Sequence, residues 1–202
     1  MPGYRVSAPP GRAGRLWLDR RLGTARQGAA LLDRKLRVLA AELAGIEEAA
    51  VAAERDWREA AVAAERSLLI AALAGGQRPI GLATPAGHAE VRIGVGVTIG
   101  VRHPAGGDVR PPAGPAPWAG AAVGRARTAH ERALRAAVSA AVAAAAARIM
   151  RAEADTTRYR LHAIRDRLIP ALELARDQIL LAIDEEERGD GARLRRAAGG
   201  NR

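Results

Sequence analysis

The sequence predicts a mainly α-helical protein, in which two long helices form an antiparallel coiled coil with a small central β-hairpin element. Three observations predict this class. Apolar residues follow a heptad pattern early in the chain, a second helical stripe lies late in the chain, and a strictly alternating segment separates them. The predicted parts are an extension (1–10), a helix (11–75), a β segment (76–117), a second helix (118–188) and a basic tail (189–202).

The first helix is predicted from an apolar pattern that steps alternately by four and three residues. A mean repeat of 3.5 residues places these side chains on one seam and implies a left-handed supercoil. Pro9-Pro10 precedes the pattern and Gly75-Gly76 ends it, so the helix has about sixty residues and a length of roughly 90 Å. The seam residues are Leu18, Leu22, Leu32, Leu36, Leu39, Leu43 and Ile46.

The second helix is predicted to follow the proline-rich residues 111–117. Its first part, residues 136–147, contains only small side chains, which bury little apolar area and predict weaker pairing there. Helical spacing continues on both sides of Pro170, which therefore predicts a kink rather than an end. Matched helices in one chain favour an intramolecular hairpin, and pairing with another chain is the alternative. The seam residues are Leu161, Ile164, Leu168, Leu172, Ile179 and Ile183.

The central segment from Glu90 to Val101 alternates between β-branched and small or charged residues, which predicts a strand. Pro104–Asp108 is predicted as a turn, and the partner strand is either a short return from Val109 or the earlier segment Ile80–Ala83. Glycines 94, 96 and 100 do not have the G-x-G-x-x-G spacing and lie inside the strand, which argues against a nucleotide site. They instead leave one face of the strand bare for close contact with a neighbour.

Composition excludes several classes of function. The net charge of +10 raises nucleic acid as a partner, but the chain has one lysine and only five aromatic residues, too few for stacking platforms. There is no cysteine, and the histidines and serines lack the spacing of metal ligands or of a catalytic triad. We therefore predict no catalytic, cofactor-binding or metal-binding residue. The absence of a long apolar run or a secretory apolar core favours a cytoplasmic protein without membrane insertion.

Two arginine clusters are the candidate functional residues. In an antiparallel hairpin they would meet at the same end, where a positive tip could engage acidic loops of a partner. The alternative is a solvated, frayed terminus, and the acidic run Asp184–Glu187 is predicted to be a solvated face. The tip residues are Arg12, Arg15, Arg20 and Arg21 in the first helix and Arg193, Arg195 and Arg196 near the chain's end.

Two stretches resemble the D subunit of the V-type and A-type rotary ATPases and ATP synthases. Residues 10–39 are similar to the family pattern P-T-R-x-x-x-L-x-L-x-[KR]-[KR]-L-x-x-A-x-x-G-x-x-L-L-x-x-K. Residues 157–196 are similar to R-x-x-x-N-A-L-E-x-x-x-I-P-x-L-E followed by L-D-E-x-E-R and R-L-[KR]-[KR]. His162 and Arg165 depart from the family's asparagine and glutamate, and Gly189-Asp190-Gly191 stands where the family is usually apolar.

The resemblance implies a non-catalytic central stalk, or axle, that couples ATP hydrolysis or synthesis to rotation of a membrane ring and to ion translocation. The partners it implies are the A and B subunits of the catalytic ring, the F subunit of the rotor and the C subunit of the stalk. It also implies a peripheral location at the cell membrane, with no cofactor and no direct nucleic-acid contact. The alternative is a basic coiled-coil protein that binds nucleic acid or serves as a scaffold.

Overall fold

A computed structural model describes residues 6–112 and 120–199. The predicted start of the second helix at Trp118, most of the proline-rich stretch and the last arginine, Arg202, lie outside these residues. The elements, in chain order, are α1 (Gly11–Gly75), α2 (Gln77–Ala83), β1 (Glu90–Thr98), β2 (Val101–Arg110), α3 (Ala121–His162), a π-helical segment (Ala163–Leu168) and α4 (Ile169–Gly199). The prediction of a mainly helical chain with a small antiparallel β element is confirmed.

The chain forms two compact units. The first unit combines the residues up to Arg37 with those from Asp155 onward, and the second unit comprises Val38–Ala154. Each unit therefore contains part of α1 and part of the C-terminal helical region. The division differs from the linear order of predicted segments, because contacts join the early and late parts of the chain.

In the first unit, α1 and α4 pack around a core of large aliphatic side chains. Leu18 and Leu172 are fully buried, and Leu22 is buried beside them. Ion pairs join Arg12 to Glu187 and Arg26 to Glu173 across the two helices. The rise of 14 residues from 12 to 26 is matched by a fall of 14 from 187 to 173. The two segments therefore run antiparallel, whereas the left-handed supercoil stays a prediction.

The C-terminal helix is irregular just before Pro170. Ala163–Leu168 form a π-helical segment, in which the Ile169 N–H donates to the Ile164 carbonyl five residues earlier. Proline has no N–H, and its ring conflicts with the carbonyl four residues before it, so the preceding turn must widen or bend. The wider turn lets apolar packing continue on both sides of Pro170, while the predicted kink stays a prediction.

In the second unit, α1 and α3 pack mainly through small side chains. Ala71, Val123 and Ala126 form one buried cluster, and Arg151 donates to Glu47 at 3.0 Å from its Nε. As residue numbers rise along α1, the residue numbers of its contacts in α3 fall, so these two segments also run antiparallel. The buried alanines of this unit are Ala60, Ala64, Ala71, Ala126, Ala140, Ala146, Ala147 and Ala154.

The β element is a hairpin whose turn the sequence analysis placed wrongly. β1 ends at Thr98 and pairs antiparallel with β2, so the two-residue turn is Ile99-Gly100 and not Pro104–Asp108. Both turn residues have positive φ, as a type I′ turn requires. The Pro104–Asp108 segment lies inside β2 and contains a bulge opposite Gly94. The alternative partner, Ile80–Ala83, belongs to α2 and is not a strand.

Two of the three glycines predicted to allow a close contact, Gly94 and Gly96, do so within the hairpin itself, whereas Gly100 lies in the turn with open space around it. A Cβ at Gly94 would lie 2.5 Å from the Ala105 carbonyl oxygen, and one at Gly96 would lie 2.9 Å from the Ala105 Cβ. At Gly107 in β2 it would lie 2.6 Å from Val138 Cγ1. The hairpin therefore packs against α3 at the position of Gly107.

The end of the C-terminal helix also differs from the prediction. α4 continues beyond Arg188, through Gly189 and Gly191, to Gly199. The predicted separate tail is thus helical over its described part. Glycine is unfavourable inside a helix by about 1 kcal/mol relative to alanine, a cost that does not by itself end a helix of 31 residues.

Candidate functional site

The arginines of α1 lie at the end of the first unit where α1 begins. Arg12 pairs with Glu187 of α4 at 2.8 Å, and Arg15 lies 3.8 Å from Asp19 on its own helix. The Arg21 guanidinium carbon lies 5.1 Å from the centroid of the Trp17 ring, a cation–π distance. Arg20 is exposed. Only part of the predicted cluster is therefore available to a partner, because several members already interact within the chain.

The C-terminal arginines lie close beyond this ion pair. Arg193 is six residues after Glu187, or about 9 Å along a helix, and it pairs with Asp190 at 2.9 Å. Arg195 and Arg196 are exposed. Within residues 6–112 and 120–199, the side chains of Arg20, Arg195 and Arg196 form no ion pair. These three arginines are the ones best placed for an outside carboxylate.

The predicted seam residues are all buried or half-buried. Leu18, Leu22, Leu39, Leu161 and Leu172 are buried. The half-buried ones are Leu32, Leu36, Leu43, Ile46, Ile164, Leu168, Ile179 and Ile183. Trp57, which continues the four-and-three spacing of the first helix, is 37% exposed.

The sequence analysis missed the acidic partners that join the helices. Asp33 lies 3.7 Å from Arg165, and Glu47, Glu173 and Glu187 each accept a bond from an arginine on the other helix. Arg165, which departs from the family's glutamate, thus has an ion-pair partner in the structure. The only signal for these pairs is the register between the helices, which a single sequence does not contain.

An apolar cleft in the second unit offers no free reactive group. It has a volume of about 390 Å³ and is lined mainly by Leu68, Ile80, Val123 and Leu134. Its polar side chains are occupied: Arg127 donates to Glu131 at 3.0 Å, and His130 Nδ1 lies 2.8 Å from the Ala126 carbonyl oxygen. In the part of the chain that the structure describes, no group of three or more acidic or histidine side chains could hold a metal ion.

The C-terminal helical region is apolar enough over one stretch to cross a membrane by length and composition. An 18-residue window between Ala121 and Ala198 has a mean hydropathy of 1.5. Alanine supplies most of this value, since residues 140–147 are alanine except for Val142. Helices in protein interiors pass the same test, so composition alone does not separate the two environments.

Comparison with known families decides the identity. The family model for the ATP synthase D subunit matches residues 16–199, which is most of the chain. The chain belongs to the ATP synthase D-subunit family. A comparison with curated proteins finds no match. The family resemblance stated from the two terminal stretches is thereby confirmed.

Membership gives the chain a general place in a larger assembly. The D subunit is a structural stalk component of rotary ATPases, associates with other ATP synthase subunits and is a peripheral part of a membrane-associated complex. The match also extends across the central hairpin, which lies between the two stretches that resemble the family pattern. This D subunit therefore carries the family's sequence character along almost its whole length.

Proposed function

We propose that this D subunit is the rotating axle of a V/A-type ATPase or ATP synthase, coupling nucleotide turnover in the catalytic ring to rotation of the membrane ring and ion translocation. Family membership is the observation that carries this proposal. In this role the chain is non-catalytic and binds no cofactor or nucleic acid. It is cytoplasmic and attached to the membrane through its partners rather than inserted.

The helix pairing of each unit supports a torque-bearing role. An axle must resist bending and twisting, and two antiparallel helices joined by a buried seam do so better than one helix. In the first unit the seam contains Leu18, Leu22 and Leu172, and ion pairs such as Arg26–Glu173 bridge its edge. We propose that the two helices form a left-handed coiled coil, as the heptad repeat predicts.

We propose that the arginine-bearing end of the first unit sits inside the ring of A and B subunits. Arg20, Arg195 and Arg196 are exposed there without a carboxylate among the described residues, so they are suited to acidic loops of the ring. Such contacts steer and orient a partner, and they weaken with added salt.

The opposite end of α1, near Gly75, is suited to the C subunit of the stalk. Val62, Leu69 and Leu73 are spaced seven and four residues apart, so they share one helical face, and all three are exposed. An exposed apolar stripe of this kind marks an interaction surface. We assign the remaining partner, the F subunit, to the exposed helical surfaces between these ends.

Charge reversal tests the arginine end. We expect Arg20→Glu with Arg195→Glu to weaken docking into the A/B ring and to lower ATP-driven rotation at a given ATPase rate. Arg12 is a poor choice for this test, because reversing it would also break the Arg12–Glu187 pair. Arg34→Glu is a control for the change in charge, since Arg34 is exposed on α1 but lies 14 residues after Arg20, or about 21 Å along the helix. Unchanged docking and rotation in the double variant would remove this assignment.

A further inference from the structure

The hairpin has one bare apolar face near its turn. Residues directly opposite in an antiparallel pair share a face, so Val95 and Val97 of β1 lie beside Pro104 and Arg102 of β2. Val95 is 63% exposed and Val97 is 64% exposed. β-Branched side chains on a strand normally cover a neighbour, but these project from the second unit into solvent.

The opposite face of the same hairpin is filled from within. His103 pairs with Gly96 across the strands, and the missing side chain leaves room for its ring. One ring nitrogen of His103 lies 3.0 Å from Thr98 Oγ1, and the other lies 3.0 Å from the Pro104 carbonyl oxygen. The hairpin thus satisfies its polar face internally. Its apolar face packs against α3 at Gly107 and is uncovered near the turn, at Val95 and Val97.

The turn itself adds a strained apolar residue. Ile99 has φ of 52°, the one positive φ at a non-glycine residue in the described chain. A β-branched residue in this region is strained, and type I′ turns favour Asn, Asp or Gly at that position. Ile99 is also 40% exposed, so neither turn formation nor core packing explains an isoleucine there. Strain of this kind is concentrated at functional sites.

We propose that this face, formed by Val95, Val97, Ile99 and Arg102 and called the hairpin face below, docks onto an apolar, carboxylate-bearing surface of another subunit of the ATPase. The Arg102 side chain is exposed and has no hydrogen-bond or ion-pair partner among residues 6–112 and 120–199. An arginine beside exposed valines fits a carboxylate at the edge of an apolar surface. The proposal rests on the proposed function, because it assumes that the docking partner is a subunit of the same ATPase.

Two other occupants fit the hairpin face less well. A second copy would bring the same arginine, and the paired positions of this face from Val95 to Arg102 contain no carboxylate to neutralise it. A lipid surface favours tryptophan, tyrosine and several cations, whereas β1 and β2 contain no aromatic residue other than His103 and the hairpin face has one cation. A protein surface of opposite charge is the better match.

The test is a competition between chains during assembly of the complete ATPase. Wild-type and variant chains with distinguishable tags are coexpressed with the other subunits, and their ratio is measured in the purified complex. We expect Ile99→Asn and Arg102→Glu each to be depleted about tenfold, the effect of losing a central interface residue. Ile99→Asn also relieves the turn strain, so slower or unchanged amide exchange of the hairpin in the isolated variant verifies that it folds.

Val51→Asn is the matched control, because Val51 is 72% exposed on α1 and the two residues have similar helix propensities. Equal incorporation of all three variants and wild type would overturn the docking proposal while leaving the axle function intact. Failure of the wild-type chain itself to enter the complex would overturn both. If the isolated chain sediments as a dimer and Ile99→Asn abolishes the dimer, the occupant of the hairpin face is a second copy of the chain. If the chain floats with phosphatidylglycerol vesicles and Ile99→Asn abolishes flotation, the occupant is a lipid surface.

Discussion

The two units of the chain differ in the side chains that are buried between their paired helices. In the first unit, leucines such as Leu18 and Leu172 fill the seam, and Arg12, Arg26 and Arg165 form ion pairs across it. In the second unit, eight of the thirteen buried hydrophobic residues that the structure describes are alanines, beside the larger Leu39 and Met150, and Arg151–Glu47 is an ion pair across the helices.

Stiffness can vary within one helical protein when its parts pair through side chains of different size. Burial of a leucine removes far more apolar area from water than burial of an alanine does. Each leucine seam position of the first unit is therefore more stabilising than an alanine position of the second unit. The second unit also contains the hairpin, whose Gly107 approaches Val138 of α3. We expect the alanine seam to be torsionally softer, and a stiffness equal in the two helix pairs would contradict this.

The largest expected effect breaks the leucine seam. Leu18→Ala removes a fully buried side chain, so we expect the free energy of unfolding to fall by about 2–5 kcal/mol. Leu16→Ala is the matched control, because Leu16 is 54% exposed two residues away on the same helix. Hydrogen exchange should show faster opening mainly in the first unit for Leu18→Ala. Equal losses in the two variants, measured by chemical denaturation, would mean that the seam is not the stabilising feature.

A smaller effect is expected from enlarging the alanine seam. Ala146→Leu adds three carbons at a buried position between closely packed helices, so we expect a loss of about 1–3 kcal/mol. Ala144→Leu, at an exposed position of the same helix, should change the free energy of unfolding by less than about 0.5 kcal/mol. A stabilised Ala146→Leu variant would show that the seam has spare volume and that alanine does not set the helix separation.

The smallest effect concerns the cross-helix ion pair Arg26–Glu173. Both side chains are more than a third exposed, so solvent screening limits their coupling to about 0.2–1 kcal/mol. A double-mutant cycle with Arg26→Ala and Glu173→Ala measures this coupling, which should decrease as salt is added. The exchanged pair, Arg26→Glu with Glu173→Arg, should recover part of it. A coupling near zero at low salt would show that the pair does not hold the register.

The sequence predicted the helix limits well where proline or glycine pairs lie at the ends of a helix. The Pro9-Pro10 and Gly75-Gly76 pairs indicate the same limits that α1 has, because both residue types terminate helices by clear steric and entropic effects. The second helix was predicted to end at Arg188, yet α4 continues to Gly199. The turn at Ile99-Gly100 was missed because isoleucine is a poor residue for a positive φ, whereas Pro104–Asp108 has the composition of a turn.

The residue types of the candidate site could be predicted from the sequence, but their contacts in the folded chain could not. The arginines at both ends of the chain could be recognised from the sequence alone. Their free or paired status depends on the register between helices, which places Glu187 beside Arg12 and leaves Arg20 exposed. The exposure of Val95 and Val97 depends likewise on the hairpin's turn and on its packing against α3.

Rotation of the chain within the assembled ATPase tests the axle proposal most directly. The chain has no cysteine, so Leu82→Cys, at an exposed position of α2, provides a single attachment point for a bead. With the A/B ring fixed to a surface, we expect stepwise, unidirectional rotation of the bead when ATP is added. Sustained ATP hydrolysis by the same complexes, with the bead stationary relative to the ring, would contradict it.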